Sequence, residues 1–181
     1  MLGAVQRTNL NRVFDALDIT GDGDISADDF LALARNVRAV RDDVDTELAA
    51  EIDQAFSDWW EIFREAADSD GDGRVSREEF IVAVDNGLQN DPKYIDRMMH
   101  VSEVAFHAAD TDGTGRLTPA QVERIYEAFG VDSRFSAETF SRIDRDGDGF
   151  ITIDELLQAS RDVYRSNDPE AAGVVLFGPV S

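Results

Sequence analysis

The stretch Asp68-Ser69-Asp70-Gly71-Asp72-Gly73-Arg74-Val75-Ser76-Arg77-Glu78-Glu79 constrains the fold more than any other part of the chain. Carboxylates stand at positions 1, 3, 5 and 12 of these twelve residues, and Gly73 stands at position 6. A calcium ion takes about six to eight oxygens, and this spacing supplies them from one continuous turn of chain. Asp68, Asp70 and Asp72 each offer a side-chain oxygen, Arg74 offers its backbone carbonyl, and Glu79 offers both carboxylate oxygens. Ser76, at position 9, acts through a water. Gly73 falls where the loop turns too sharply for a Cβ. An Asp/Gly-rich turn followed by a capped helix has a similar look, because Ser76 and Glu79 also form a capping box. The rest of the chain decides between the two.

Three further copies of the frame occur. Position-1 aspartates fall at Asp18, Asp68, Asp110 and Asp144, so the linkers vary in length while the loops do not. Every copy has glycine at position 6 and an apolar residue at position 8, namely Ile25, Val75, Leu117 and Ile151. Every copy also has an apolar residue at position 13, namely Phe30, Phe80, Val122 and Leu156. The position-8 residues have no ligand role and predict a short strand in each loop, pairing the loops two by two. The fourth loop, with Asp144, Asp146, Asp148, the Phe150 carbonyl and Glu155, meets the full pattern. The first departs twice, with Thr20 at position 3 and Asp29 at position 12, and keeps Asp18, Asp22 and the Asp24 carbonyl. Asp29 is one methylene shorter than glutamate and reaches an ion with one oxygen, which suits the smaller magnesium ion better than glutamate would. The third loop has Thr114 at position 5 and Gln121 at position 12. Glutamine serves a capping box as glutamate does but offers a metal a single neutral oxygen, so that loop keeps its structural role and drops its metal role.

Helical periodicity flanks each loop. Leu10, Val13, Phe14 and Leu17, with Val5 before them, mark an incoming helix, and Phe30, Leu31, Leu33, Val37 and Val40 an outgoing one. Thr46 is placed to cap a long helix carrying Leu48, Ile52, Phe56, Trp59, Trp60 and Phe63. Adjacent tryptophans do not share one narrow helical stripe, so one is expected in the core while the other covers a boundary or meets the other half. Phe80, Ile81 and Val84 follow, with Asn86-Gly87 as a stop and Asp91-Pro92 as the next start. Gly130 reads as a C-cap after Val122, Ile125, Tyr126 and Phe129, and Ser136 as the cap of a short helix carrying Phe140 and Ile143. The tail ends in Val174-Val175-Leu176-Phe177, an apolar run that needs a surface to fold onto. A dockerin-type loop shares the ligand spacing and ends in aspartate, but lacks an incoming helix; helix–loop–helix is the arrangement of the EF-hand.

Against 38 acidic residues stand 17 basic ones, a net charge of -21 that repels nucleic acid and anionic membranes and attracts cations. There are no cysteines, which excludes disulfides, thiolate zinc sites and cysteine catalysis. Residues 1–18 contain no continuous apolar run, so a cytoplasmic chain without a signal peptide is the expectation. His100 and His107 are seven apart with no zinc-helix motif around them, and no phosphate loop or nucleophile elbow occurs, so an enzyme is not expected.

With these loops, the long first spacing and the tail Asn167-Asp168-Pro169 to Phe177-Gly178-Pro179, the chain resembles the four-EF-hand sarcoplasmic calcium-binding proteins, particularly their bacterial calerythrin-like members. The resemblance implies an all-α fold of two EF-hand pairs packed into one compact unit, with the tail in the crevice between them. The pairs fall at 1–88 and 89–165, and the tail at 166–181. The expected function is an intracellular calcium buffer, a monomer with three calcium sites and magnesium admissible at the first. The alternative is a sensor acting on a partner protein. Methionine-rich grooves mark sensors of the calmodulin kind, and this chain has only Met98 and Met99 beyond Met1.

Overall fold

A computed structural model describes residues 2–177. Helix α1 (Ala4–Leu17) runs into the first loop, which carries strand β1 (Asp24–Ile25) and leads to α2 (Ala27–Arg38). The long α3 (Thr46–Ala67), β2 (Val75–Ser76) and α4 (Arg77–Asn90) form the second unit. Helices α5 (Tyr94–Met98) and α6 (His100–Ala109) enter the third loop, followed by β3 (Arg116–Leu117) and α7 (Pro119–Ala128). A 3-10 turn (Ser133–Phe135), α8 (Ser136–Ile143), β4 (Ile151–Thr152) and α9 (Ile153–Arg165) complete the fourth unit, and a 3-10 turn at Ala172–Val175 closes the tail.

The position-8 residues do what their spacing predicts. Strands β1 and β2 pair antiparallel with Ile25 opposite Val75, and β3 pairs with β4 with Leu117 opposite Ile151. All four residues are fully buried, so each pair of loops is joined at its apolar midpoint. The fold is therefore all-α, apart from these two short ladders.

One continuous core runs through all four units. Leu10, Val13, Phe14 and Leu17 are buried on α1, and Phe30, Leu33 and Val37 on α2, whereas Leu31 is exposed. Trp59 and Trp60 are both buried, and Trp59 meets the other half, where it lines a cavity with Met98, Met99 and Tyr126. Phe30 packs against both rings, at centroid distances of 5.1 and 5.5 Å. Helix α3 packs on both α2 and α6, so its buried face is wide enough for two neighbouring tryptophans. Polar pins hold the halves together. Asn36 Nδ2 on α2 donates to the Ala128 carbonyl of α7 at 3.0 Å, and Arg124 donates to the Val40 carbonyl at 3.3 Å. On the far side, Gln6 Nε2 of α1 donates to the Tyr164 carbonyl of α9 at 3.0 Å, and Asn9 Nδ2 to the Val163 carbonyl at 3.3 Å.

Several helix ends differ from the sequence expectations. Asp45 caps α3, accepting from Leu48 N at 2.8 Å, and Thr46 is the first helical residue. Helix α4 continues through Asn86 and Gly87 to Asn90. Gly87 is needed there for closeness, since a Cβ would come to 2.5 Å from the Tyr94 ring. Asp91 does not cap a helix beginning at Pro92; it accepts from Lys93 N at 2.9 Å in a turn, and α5 begins at Tyr94. Asp132, rather than Ser136, provides the side-chain cap, on the 3-10 turn that precedes α8. Gly130 does end α7, at φ +66°.

The 3-10 turn of the tail, Ala172–Val175, lies on α8 and α9. Val174 and Val175 are each 2% exposed, and Thr139 Oγ1 donates to the Val175 carbonyl at 3.1 Å. Arg12 of α1 reaches the Val174 carbonyl at 3.5 Å. Leu176 and Phe177 close an apolar cavity of about 80 Å³, which Trp59, Met98, Met99 and Tyr126 also line. Gly178 and Pro179, part of the tail singled out in the sequence, lie outside the described residues.

Candidate metal centre

The second loop shows how twelve residues aim carboxylates at one point. Positions 4 and 6, Gly71 and Gly73, take φ of +76° and +82°, a left-handed backbone that glycine adopts without steric cost. The resulting curl turns backbone N–H groups inward. Asp68 accepts from Gly71 N at 2.8 Å on one oxygen and from Gly73 N at 3.2 Å on the other. Asp70 accepts from Asp72 N at 3.2 Å, and Asp72 from Arg74 N at 2.8 Å. These bonds fix each carboxylate and leave lone pairs free.

Glu79 closes the loop from the first turn of α4. Its Oε2 accepts from Ser76 N at 3.0 Å and Ser76 Oγ at 2.8 Å, and its Oε1 from Ser69 Oγ at 2.6 Å and Ser69 N at 3.1 Å. The Ser69 hydroxyl, then the Ser76 N–H and hydroxyl, stabilise its charged form and draw its pKa down from 4.5 to about 2. Oxygens of Asp68, Asp70 and Glu79 converge to within 4.8 Å of one another.

The fourth loop repeats the design. Asp144 accepts from Gly147 N at 2.9 Å and Gly149 N at 3.0 Å, Asp146 from Asp148 N at 3.1 Å, and Asp148 from Phe150 N at 2.9 Å. Glu155 accepts from Thr152 N and Oγ1 at 2.9 and 2.8 Å, and from Arg145 N at 3.0 Å. Burial pushes the Glu155 carboxyl up, but the Thr152 and backbone donors outweigh it and hold it below its usual range. Oxygens of Asp144, Asp146 and Glu155 also lie within 4.8 Å of one another. Three like charges this close repel one another, and a dication relieves that repulsion. The all-oxygen donor sets fit calcium.

The first loop is drawn differently. Asp18 accepts from Asp22 N at 3.1 Å and Gly23 N at 3.0 Å, as in the other loops. Asp29 is fully buried, with Oδ2 held by Ser26 N and Oγ at 2.8 and 2.9 Å and Oδ1 by Thr20 N at 3.0 Å. Among the described residues, three acidic groups converge in loops two and four and not in loop one. Thr20 brings no carboxylate, and the short Asp29 side chain stays close to its own capping partners. In loop three, Gln121 Oε1 accepts from Thr118 N at 2.8 Å and Thr118 Oγ1 at 2.9 Å, so the capping role persists without a carboxylate. Asp110 and Asp112 are tied to Thr114 N and to its hydroxyl.

The side chains at position 7 escaped the sequence reading, which used Arg74 only for its carbonyl. Arg74 Nη1 lies 3.0 Å from Asp22 Oδ2 and 3.6 Å from Asp24 Oδ2, across the β1–β2 ladder. The Asp24 N–H, then Arg74, draw the Asp22 carboxyl below its ordinary value. Arg116 lies 3.4 Å from Asp148 and stacks over the Phe150 ring at 4.9 Å. A basic residue one place before the paired strand residue was the available signal. His100 and His107 are both exposed, and His100 sits 3.5 Å from Glu103.

Four helix–loop–helix units, paired through their loops and with carboxylates converging in the second and fourth, define an EF-hand calcium-binding protein. The chain belongs to the EF-hand domain pair family, whose model matches residues 7–84 and 101–161. It is 25% identical over 167 residues to calerythrin of Saccharopolyspora erythraea, covering 91% of this chain and 94% of that one. A solved Streptomyces coelicolor calcium-binding protein, described as a basis for prokaryotic calcium-mediated regulation, superposes with a TM-score of 0.77 at 27% identity, covering 88% of this chain and 97% of that one. The sarcoplasmic calcium-binding protein of amphioxus superposes over the full length of both chains with a TM-score of 0.78 at 18% identity, and shows the shared fold. Among the described residues no helix is long and apolar enough to cross a membrane.

Proposed function

We propose that the protein is a calcium buffer that holds three ions. Its ligands are the side chains of Asp18, Thr20, Asp22 and Asp29 with the Asp24 carbonyl, those of Asp68, Asp70, Asp72 and Glu79 with the Arg74 carbonyl, and those of Asp144, Asp146, Asp148 and Glu155 with the Phe150 carbonyl. The convergence of three carboxylates in each of loops two and four carries this reading. Loop one is the site of weakest calcium preference and admits magnesium, because Asp29 offers a smaller cage than glutamate. Loop three, with Gln121, stays empty. The pairs at 1–88 and 89–165 work as one cytoplasmic monomer with no catalytic activity and no nucleic-acid or membrane partner.

Two observations support a buffer over a sensor. The residues Val174 and Val175 occupy the apolar surface of α8 and α9 that a partner would need, and the cavity beneath Leu176 and Phe177 is small. The second reading, a sensor acting on a partner protein, draws support from the calcium-mediated regulation ascribed to the Streptomyces protein. On that reading calcium displaces the tail. Calorimetric titration with calcium and magnesium tests the site number, and two ions rather than three would overturn the loop-one assignment. An apolar dye that binds only the calcium-loaded protein would favour the sensor.

A further inference from the structure

Arginine at position 7 reaches out of its own loop in both pairs, and always onto the position-5 aspartate of the partner loop. Arg74 of loop two reaches Asp22 of loop one at 3.0 Å, and Arg116 of loop three reaches Asp148 of loop four at 3.4 Å. Antiparallel pairing through Ile25–Val75 and Leu117–Ile151 sets position 7 beside the ladder, within reach of the partner loop. In loop one the consequence is the stronger. Asp22 Oδ1 already accepts from Asp24 N at 3.2 Å, so the guanidinium on Oδ2 engages the second oxygen of the same carboxylate. Asp24 is drawn to the same guanidinium at 3.6 Å. Among the described residues, no guanidinium lies at ion-pair distance from Asp72, the counterpart of Asp22 in loop two.

We propose that the Arg74 side chain is an affinity-determining residue for loop one, a built-in cation that competes with calcium for Asp22 while its backbone carbonyl serves loop two. In the metal-free state Arg74 neutralises carboxylates of loop one, and an incoming ion must share or displace it. The two duties of one residue make the loops unequal, with loop two the tighter member of the pair. The inference rests on the reading of loop one as a cation site.

The test compares the full chain with Arg74→Gln and Arg74→Lys by calorimetric calcium titration and by thermal unfolding in chelator, with Asp18→Asn in each background to identify the loop-one event. Exposed ion pairs are worth little, so the expected gain in loop-one affinity for Arg74→Gln is about two- to fivefold, shrinking as salt is raised. Arg74→Lys keeps the charge and should stay near the natural chain. In chelator Arg74→Gln should melt lower, because the loop-one carboxylates lose their counter-charge. A variant that was merely misfolded would lose both stability and affinity. If the natural chain and Arg74→Gln bind at loop one equally well, or the variant binds more weakly, the site reading stands and the inference falls. If only Arg74→Gln takes an ion there, the three-ion reading of the natural chain fails and the inference stands. If neither does, both fall.

Discussion

Replacing Glu79 by glutamine would convert loop two into a copy of loop three at position 12, and the chain itself shows what that does to the fold. In loop three Gln121 keeps both bonds from Thr118, at 2.8 and 2.9 Å, so the Glu79→Gln side chain should likewise keep Ser76 N and Oγ with its amide oxygen. The amide nitrogen would then face Ser69, whose hydroxyl can turn to accept from it but whose N–H, now 3.1 Å from Glu79 Oε1, meets another donor. One lost hydrogen bond costs about 1 kcal/mol. With about 2.1 cal/mol/K of unfolding entropy per residue, a chain of 181 residues loses about 3 °C in Tm for that amount. In calcium at a thousandfold excess over the dissociation constant, losing one ion removes about 4 kcal/mol more, or about 10 °C. The assay is thermal unfolding of both proteins in chelator and in millimolar calcium, following backbone ellipticity and tryptophan fluorescence. Titration should show one ion fewer. An equal drop in Tm under both conditions would mean that Glu79 is only a helix cap, as Gln121 is.

Gly173→Ala should loosen the tail, because the new Cβ would fall on the Ala159 carbonyl oxygen and lie 2.8 Å from Val163 N, backbone atoms that cannot swing aside. We expect about 1–3 kcal/mol of destabilisation, read as a Tm lower by about 3–8 °C and stronger fluorescence of an apolar dye; unchanged values would refute the tail packing. Asp29→Glu should raise the preference of loop one for calcium over magnesium in competitive titration, and an unchanged ratio would count against the assignment of that loop. In chelator, the depressed Glu79 pKa means that its contribution to stability is complete above about 4.5 and is lost as the pH falls toward about 2. The Tm difference between the natural chain and Glu79→Gln should therefore narrow across that window, and a difference that widened would contradict the sign.

What the sequence determined is what depends on chemistry within a dozen residues. Carboxylate spacing, the glycines that permit a left-handed curl, and the serine or threonine three places before position 12 act locally, so the loops could be read without knowing what surrounds them. Ile25, Val75, Leu117 and Ile151 were legible as strand residues because no ligand role explains them. The degenerate third loop was legible in Gln121, whose amide can cap a helix but brings no charge. Tertiary structure decided the rest. Trp59 and Trp60 are both buried because Phe30, from another helix, packs against both rings. Helix α4 runs past Asn86-Gly87 because Tyr94 comes back against Gly87, where a smooth surface matters more than helix propensity. Arg74 looked like a backbone ligand until the β1–β2 pairing carried its guanidinium to a carboxylate 52 residues earlier. In each case the deciding partner lies on another element, and only a closed core fixes which elements meet.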